Sequence, residues 1–328
     1  MSELIVLSRS DLQQLMQLGD YVEVVAQAFA MHAEGRAASP PPLHIPAVDG
    51  GFHVKAASLS LSRGYVAVKT NANFPFNRQR AGLPTIQGAI LLFAAEDGTP
   101  LALLDSIDIT IKRTGAATAI AARYLARPDS KVATICGCGE QGRVQLAALR
   151  HSLNIQRAYA WDSDPDAAAA YARAMSDQHG IVVTAANNLG DATSASDVIV
   201  TCTSSKIAYL GLEHVREGTF IAAVGADNPE KSEIEPALMA RTTIVADIAA
   251  QSAVMGDLHH AIRSGSMTAD ALHAELGEVI TAKKTGRTNS TEITIFDSTG
   301  TGIQDVAAAA RAYELARDAG VGARIQLS

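Results

Sequence analysis

The pattern of apolar and polar positions changes character part-way along the chain. Over residues 11–34, Leu12, Leu15 and Met16, then Val22, Val25 and Phe29, recur at three- to four-residue spacing. That predicts an amphipathic helix with one buried face and Ser10 as its N-cap. Ser39-Pro40-Pro41-Pro42 ends it as an extended connector, because proline fixes φ and has no amide donor. Short apolar or alternating runs follow at 52–57, 65–70, 86–94 and 101–106, with the turn pair Asp97-Gly98 between the last two. They predict a mostly antiparallel sheet, followed by an alanine-rich helix over 109–125.

The grammar changes at Arg127-Pro128-Asp129. Apolar strands at 131–136, 157–161, 181–184, 197–201, 220–224 and 244–246 now run among helical stretches, of which 141–149 and 165–179 are the clearest. Such alternation predicts an α/β domain with a parallel sheet and right-handed crossovers. The strands are continuous apolar runs, as expected when both faces are covered. A last strand, 292–296, leads through Asp297-Ser298-Thr299-Gly300-Thr301-Gly302 into a helix over 304–316 that is expected to pack back on the first domain. The expected domains are therefore 128–302, and 1–127 together with 303–328. No internal repeat is evident.

Composition narrows the classes. Of 328 residues, 48% are apolar and 19% charged, enough for a real core and against wholesale disorder. A net charge of −7 offers no broad attraction to phosphate backbones, which argues against nucleic-acid binding. No apolar run approaches the ~20 residues a membrane helix needs. The opening MSELIVLSRSDLQQL lacks the marks of a secretory signal, and three cysteines make no disulfide framework. A reduced, cytoplasmic setting is expected.

The strongest local signal is Thr134-Ile135-Cys136-Gly137-Cys138-Gly139-Glu140-Gln141-Gly142-Arg143, a G-x-G-x-x-G pattern between strand and helix. Gly137 makes the tight turn, Gly139 admits a pyrophosphate, and Gly142 lets helix and strand pack closely. The helix N-terminus then offers free N–H groups to the phosphates. The next strand ends in Trp161-Asp162, about 20 residues on, where an acid accepts from ribose hydroxyls and repels a 2′-phosphate. This Rossmann-type arrangement predicts NAD, with NADP as the alternative because Arg143 partly offsets that repulsion. The plainer alternative is a structural turn without nucleotide. Cys136 and Cys138 are read as small apolar filling rather than metal ligands, and His259-His260 as solvated or capping, so no metal is expected.

Three charged residues stand in apolar surroundings: Lys69 ending Tyr65-Val66-Ala67-Val68-Lys69, Arg113 opening Arg113-Thr114-Gly115-Ala116, and Asp227 beyond the strand 220–224. Ligands of open α/β sheets bind beyond the carboxyl ends of strands, so Asp227 is placed to face one. Singly, these residues read as a strand-end lysine, a helix-start arginine and a turn former. Together, two cations and an acid suit an α-amino or α-imino acid: the cations hold its carboxylate and the acid manages the nitrogen proton.

These segments also resemble the ornithine cyclodeaminase/mu-crystallin family, which includes alanine dehydrogenase and ketimine and Δ1-pyrroline-2-carboxylate reductases. The resemblance covers nearly the whole chain. It rests on Val68-Lys69-Thr70-Asn71-Ala72-Asn73, Gly82-Leu83-Pro84-Thr85, Leu104-Asp105-Ser106, Arg113-Thr114-Gly115-Ala116 and the glycine loop. Val224-Gly225-Ala226-Asp227 with Lys231, Leu276-Gly277-Glu278-Val279-Ile280 and Phe296-Asp297-Ser298-Thr299-Gly300 complete it. It implies a homodimer whose N-terminal part and last helix form a substrate and dimerisation domain. By resemblance, Lys69 and Arg113 contact the substrate carboxylate, Asp227 is the acid/base, and Thr299 faces the substrate. Thr85, Arg113, Thr114, Gly137, Gly139, Glu140, Gln141, Gly142, Asp162, Thr203, Val224, Gly225, Ala226, Lys231 and Ser298 belong to the cofactor side.

The chain departs from the family in one place. An Arg usual shortly after the proline stretch is absent from Pro42-Leu43-His44-Ile45, leaving His44, His53 or Lys55 as substitutes. The expected activity is NAD(P)-dependent oxidoreduction at the C–N bond of a small amino or imino acid, such as reduction of Δ1-pyrroline-2-carboxylate to L-proline or an alanine dehydrogenase-like reaction. Ornithine cyclodeaminase, converting L-ornithine to L-proline and ammonia, and a mu-crystallin-like binding protein are the alternatives. The retained Asp227 speaks against the binder.

Overall fold

A computed structural model describes residues 3–61 and 63–327. In chain order the elements are β1 (Glu3–Leu7), α1 (Arg9–Leu15), α2 (Leu18–Ala33), β2 (Ala37–Ala38), β3 (Leu43–Ala47), β4 (Gly50–Ser60), β5 (Gly64–Asn73), α3 (Asn77–Ala81), β6 (Ile86–Ala94), β7 (Pro100–Asp105) and α4 (Ser106–Leu125). Then come β8 (Val132–Cys136), α5 (Glu140–Ser152), β9 (Arg157–Trp161), α6 (Pro165–His179), β10 (Val182–Ala185), α7 (Leu189–Ser194), β11 (Val198–Thr201), β12 (Phe220–Ala223), α8 (Pro236–Met239) and β13 (Thr243–Ala246). The chain closes with α9 (Ala249–Ser252), α10 (Gly256–Arg263), β14 (Ala274–Glu275), α11 (Leu276–Ile280), β15 (Thr294–Asp297), α12 (Gly302–Ala319) and β16 (Ala323–Gln326).

Internal packing divides the chain into two compact units, one of residues up to Arg113 and from Thr301 onward, the other Thr114–Gly300. The division falls inside α4, earlier than the 127/128 boundary expected from the Arg127-Pro128-Asp129 punctuation. α4 runs through the point of division, so no turn signal marks it in the sequence.

In the first unit the sheet order is β16-β1-β7-β6-β5-β4-β2, with β3 paired to β4. Every pairing is antiparallel except β1 with β7. Strand alternation puts Tyr65, Ala67 and Lys69 on one buried face of β5. Lys69 is thus a cation in a core-facing register. α12 packs on β4, β5 and α2. Its approach is close at Gly302, where a Cβ would lie 2.6 Å from the Ala56 carbonyl oxygen. The helix expected over 11–34 is two helices. Ser8, not Ser10, caps α1: its hydroxyl accepts from Asp11 N, and Asp11 accepts from Ser8 N at 2.8 Å. Met16 is extended, and Asp20 accepts from Gln17 N at 2.8 Å to start α2 afresh.

In the second unit all eight strands are parallel, in the order β10-β9-β8-β11-β12-β15-β13-β14. The chain leaves β8 towards β9 on one side and later returns to β11 on the other. The carboxyl ends of β8 and β11 therefore flank the point where strand order reverses, the crevice such sheets use for ligands. β11, β12 and β15 are buried throughout, as their continuous apolar runs require. Among the described residues no helix is long and apolar enough to cross a membrane.

Candidate active site

The first unit gathers a buried charge cluster from three elements. Lys69 Nζ on β5 lies 2.6 Å from Asp305 Oδ2 on α12 and donates to Thr110 Oγ1 on α4 at 3.4 Å. Arg113 on α4 donates through Nε to Asp305 Oδ1 at 3.2 Å and through a terminal nitrogen to Gln304 Oε1 at 3.0 Å. Lys69, Arg113 and Asp305 are 3%, 4% and 1% exposed, so their charges are held against each other rather than against water. Burial lowers the Lys69 ammonium to about 7; Asp305 pulls the other way, and Arg113 and Lys55 push it further down. Burial works to raise Asp305, but Lys69 and Arg113 outweigh it and hold the carboxyl below its ordinary range.

Sequence reasoning missed Asp305 and Gln304. The available signal was a charged residue in the first turn of an otherwise alanine-rich helix. The region of the absent Arg is occupied by histidines: His44 on β3 stands opposite His53 on β4, with ring centroids 4.7 Å apart, and Lys55 stands opposite Lys69. Thr85 lies half-buried before β6, its carbonyl accepting from Phe74 N at 2.9 Å.

In the second unit the glycine loop follows β8 directly. Gly137 has φ +106°, and a Cβ there would lie 2.8 Å from the Cys202 carbonyl oxygen. A Cβ at Gly142 would lie 2.2 Å from the Gly137 carbonyl oxygen, so the third glycine is needed for the loop to close on its own helix. At Gly139 a Cβ would meet nothing within 4 Å. Gly139 is also the N-cap of α5, with no side-chain cap. The cradle is thus open at the position where an anion approaches the helix N-terminus. Ser298 Oγ, buried at the carboxyl end of β15, has no hydrogen-bond partner of its own. An open glycine and an orphaned hydroxyl fit a dinucleotide.

Asp162 ends the next strand. Its Oδ2 accepts from Cys138 N at 2.8 Å and its Oδ1 from Asp164 N at 3.1 Å, which fixes the acid beside the loop. Burial pushes the Cys136 and Cys202 thiols well up and Cys138 to about 12, so none is a thiolate near neutrality. His259 and His260 bond backbone instead, Nδ1 to the Ala253 carbonyl at 3.2 Å and Nε2 to the Lys231 carbonyl at 2.8 Å.

Asp227 projects from the loop after β12, its side chain 55% exposed, with Lys231 Nζ at 2.7 Å. Asn228 Oδ1 accepts from Glu230 N and Lys231 N and sets the turn. Beneath it is Glu233, which the sequence reading also missed. It accepts from Thr203 N and Oγ1 at 2.6 Å each, from Tyr209 Oη at 3.1 Å and from Gly225 N at 3.0 Å. One buried carboxylate therefore ties the loops after β11 and β12. Asp247, just past β13, does the same for the last loop. It accepts from Thr299 N at 2.8 Å, Gly300 N at 2.7 Å and Thr299 Oγ1 at 3.0 Å, while Gln251 donates to Thr299 Oγ1 at 2.7 Å. The rule that singled out Asp227, an acid beyond a strand's carboxyl end, applies equally to Asp247.

The family model for the ornithine cyclodeaminase/mu-crystallin family matches residues 2–320. The chain belongs to that family. Among solved members, an archaeal alanine dehydrogenase dimer with bound NAD is 36% identical, with a TM-score of 0.95, the match covering 99% of this chain and 100% of the other. The Δ1-pyrroline-2-carboxylate reductase of Thermococcus litoralis, solved with NADH and L-proline, is 34% identical, with a TM-score of 0.94, covering 98% and 100%. A lysine cyclodeaminase is 30% identical, with a TM-score of 0.88, covering 100% and 96%. The chain is thus similar along its length to ornithine cyclodeaminase/mu-crystallin family members of both redox and deaminating chemistry.

Proposed function

We propose that the chain is an NAD-dependent oxidoreductase acting on the C–N bond of a small α-amino or α-imino acid, with imine reduction the favoured direction. The observation that carries this reading is the convergence of Lys69 and Arg113 on Asp305, two cations fixed side by side in a dry setting. Its similarity to the alanine dehydrogenase and the pyrroline carboxylate reductase supports it. The dinucleotide, when bound, supplies the hydride that the imine carbon takes up. Gly137, Gly139 and Gly142 shape the loop for its pyrophosphate, Glu140 and Gln141 open the helix that faces it, and Asp162 favours NAD over NADP. Thr85, Thr114, Thr203, Val224, Gly225, Ala226, Lys231 and Ser298 complete its surroundings.

Lys69 and Arg113 hold the substrate carboxylate, so the carbon beside it is presented in one orientation. Asp305 keeps the two cations in place. Asp227 stabilises the protonated imine, the better hydride acceptor, and exchanges its proton, while Thr299 bounds the substrate from a clamped loop. We assign the substrate side and dimer contacts to the first unit, the dinucleotide to the second, and read the enzyme as a cytoplasmic homodimer.

The test follows absorbance and ammonia together, with NADH plus Δ1-pyrroline-2-carboxylate or pyruvate and ammonia, and separately with NAD plus L-ornithine. Steady NADH loss is the expected result. Ammonia release from ornithine without net redox change supports instead a cyclodeaminase, the second reading that the lysine cyclodeaminase similarity favours. Neither signal would leave a binding protein. Asp227→Asn is expected to lower kcat by about 10²-fold or more while the Kd for NADH, read by fluorescence, stays nearly constant. Equal losses of both would make Asp227 structural.

A further inference from the structure

Beside the charged members of the first unit's buried cluster stands a neutral one, Gln304, and half of its amide is idle. The side chain is wholly buried in the first turn of α12. Its Oε1 accepts from Arg113 at 3.0 Å, while its Nε2 is buried without a hydrogen-bond partner. That orientation is forced. Turned over, the amide would set its own N–H groups against those of the guanidinium.

Other side chains of similar size would meet Arg113 differently. A glutamate has nearly the same shape, accepts from the guanidinium more strongly because the bond is charge-assisted, and brings no N–H to be left idle. A methionine also leaves no amide idle, but it deprives a terminal nitrogen of Arg113 of its acceptor. By hydrogen bonding alone glutamate is the better partner. What sets glutamine apart from it is charge.

Charge matters here because the cluster is dry. Three charged groups are in direct contact: Lys69 Nζ lies 2.6 Å from Asp305 Oδ2, and Arg113 Nε lies 3.2 Å from Asp305 Oδ1. With Lys69 protonated, two are positive and one is negative. Lys55, opposite Lys69 on β4, adds to the positive side through its field on Lys69 and Asp305. Thr110, which accepts from Lys69 at 3.4 Å, adds no charge. A carboxylate arriving at Lys69 and Arg113 brings the contacting groups to neutrality. Had a second resident acid stood on Arg113, the same arrival would leave excess negative charge out of water.

We propose that Gln304 sets the charge of the substrate receptor: its neutral amide holds Arg113 in place and leaves the cluster one positive charge in excess, for a substrate carboxylate to balance. This rests on the oxidoreductase reading for the placement of that carboxylate at Lys69 and Arg113. Gln304 is a positioning residue that acts through Arg113, and the hydride step is unchanged.

The test titrates pyrrole-2-carboxylate, a planar and unreactive counterpart of Δ1-pyrroline-2-carboxylate, into the NADH-saturated protein by calorimetry. Wild type, Gln304→Glu and Gln304→Met are compared, and steady-state NADH oxidation with Δ1-pyrroline-2-carboxylate is run on all three. Gln304→Glu, isosteric and able to hold Arg113, is expected to weaken binding about a hundredfold and to raise KM far more than it lowers kcat. Gln304→Met, which keeps the charge and loses the hydrogen bond, is expected to weaken it less than about tenfold. From pH 8 to pH 6 the gap between Gln304→Glu and wild type should narrow, because a protonated glutamate is as neutral as the amide. A purely structural role predicts the opposite order. A Met variant that loses as much as the Glu variant therefore overturns the proposal, as does a Glu variant that binds like wild type. If Gln304→Glu shows no cooperative urea unfolding, Gln304→Met decides alone: a loss of about tenfold or more overturns the proposal, and a smaller one upholds it. A wild type that does not bind pyrrole-2-carboxylate overturns it too. Binding in the expected order without turnover of any C–N substrate upholds the role of Gln304 and overturns the oxidoreductase reading instead.

Discussion

Lys69 in the first unit and Asp257 in the second are both fully buried ionisable groups whose proton equilibria lie near neutrality, and they arrive there from opposite ends. Around Lys69 the cluster mixes signs: Arg113 and Lys69 share Asp305, each delivered by a different element. Around Asp257 the charged neighbours are acids. Its Oδ1 accepts from Glu233 N and Ile234 N, its Oδ2 is unpartnered, and burial with the nearby Glu233 charge raises it to about 7. Asp297 is held well up too, by burial and by Asp257 and Asp247. Backbone N–H groups rather than cations satisfy these acids. The mixed cluster can answer the arrival of a charged ligand. The acid cluster, held by backbone N–H groups, ties together the loops at the strand ends.

The harshest way to break this contrast is Asp305→Ala, which leaves two buried cations facing each other. A loss of about 3–5 kcal/mol in urea unfolding is expected. A loss below about 1 kcal/mol would mean the cations are solvated, as exposed pairs are. Next in size, Gly142→Ala should cost about 1–3 kcal/mol, because its Cβ meets the Gly137 carbonyl. Gly139→Ala should change stability by less than about 1 kcal/mol. It should nevertheless weaken NADH binding about tenfold, measured by fluorescence titration.

The pH dependence of stability sharpens the same comparison. Lys69 falls from its ordinary 10.5 to about 7, so between those values the unfolded chain holds the extra proton and stability rises with pH. Asp257 rises from 3.8 to about 7, so below about 7 the folded chain holds the extra proton and stability falls as pH climbs through that window. Each slope is bounded by about 1.4 kcal/mol per pH unit. Unfolding midpoints from pH 4 to 10 should show the acid-side slope shrink in Asp257→Asn and the alkaline one shrink in Lys69→Met. Unchanged slopes would assign the protons elsewhere. Asp162→Ser is expected to shift the NADPH/NADH ratio of kcat/KM severalfold towards NADPH, and an unchanged ratio would remove the acid from cofactor choice.

The two units were not equally legible. The parallel strands announced themselves because burial on both faces demands continuous apolar runs, and the glycine loop because its three glycines fall within six residues between a strand and a helix. The edges of the first unit did not. β2 and β3 are short or exposed, and β1 pairs with chain distant in sequence. The break at Met16 has no proline to mark it; it depends on Asp20 capping Gln17. Lys69 and Arg113 were visible as charges in apolar surroundings. Asp305 gains its meaning only when α12 is laid across β5, a fact of tertiary packing.

Within α12, Ala307, Ala308, Ala309, Ala310 and Ala312 are wholly buried. Their small size sets how deep the helix sinks, and so how far Asp305 stands from Lys69. The charge geometry depends on atoms that are missing, and an extra methyl on the side of the helix turned to the sheet would act like a shim under a lens, lifting Asp305 away from Lys69.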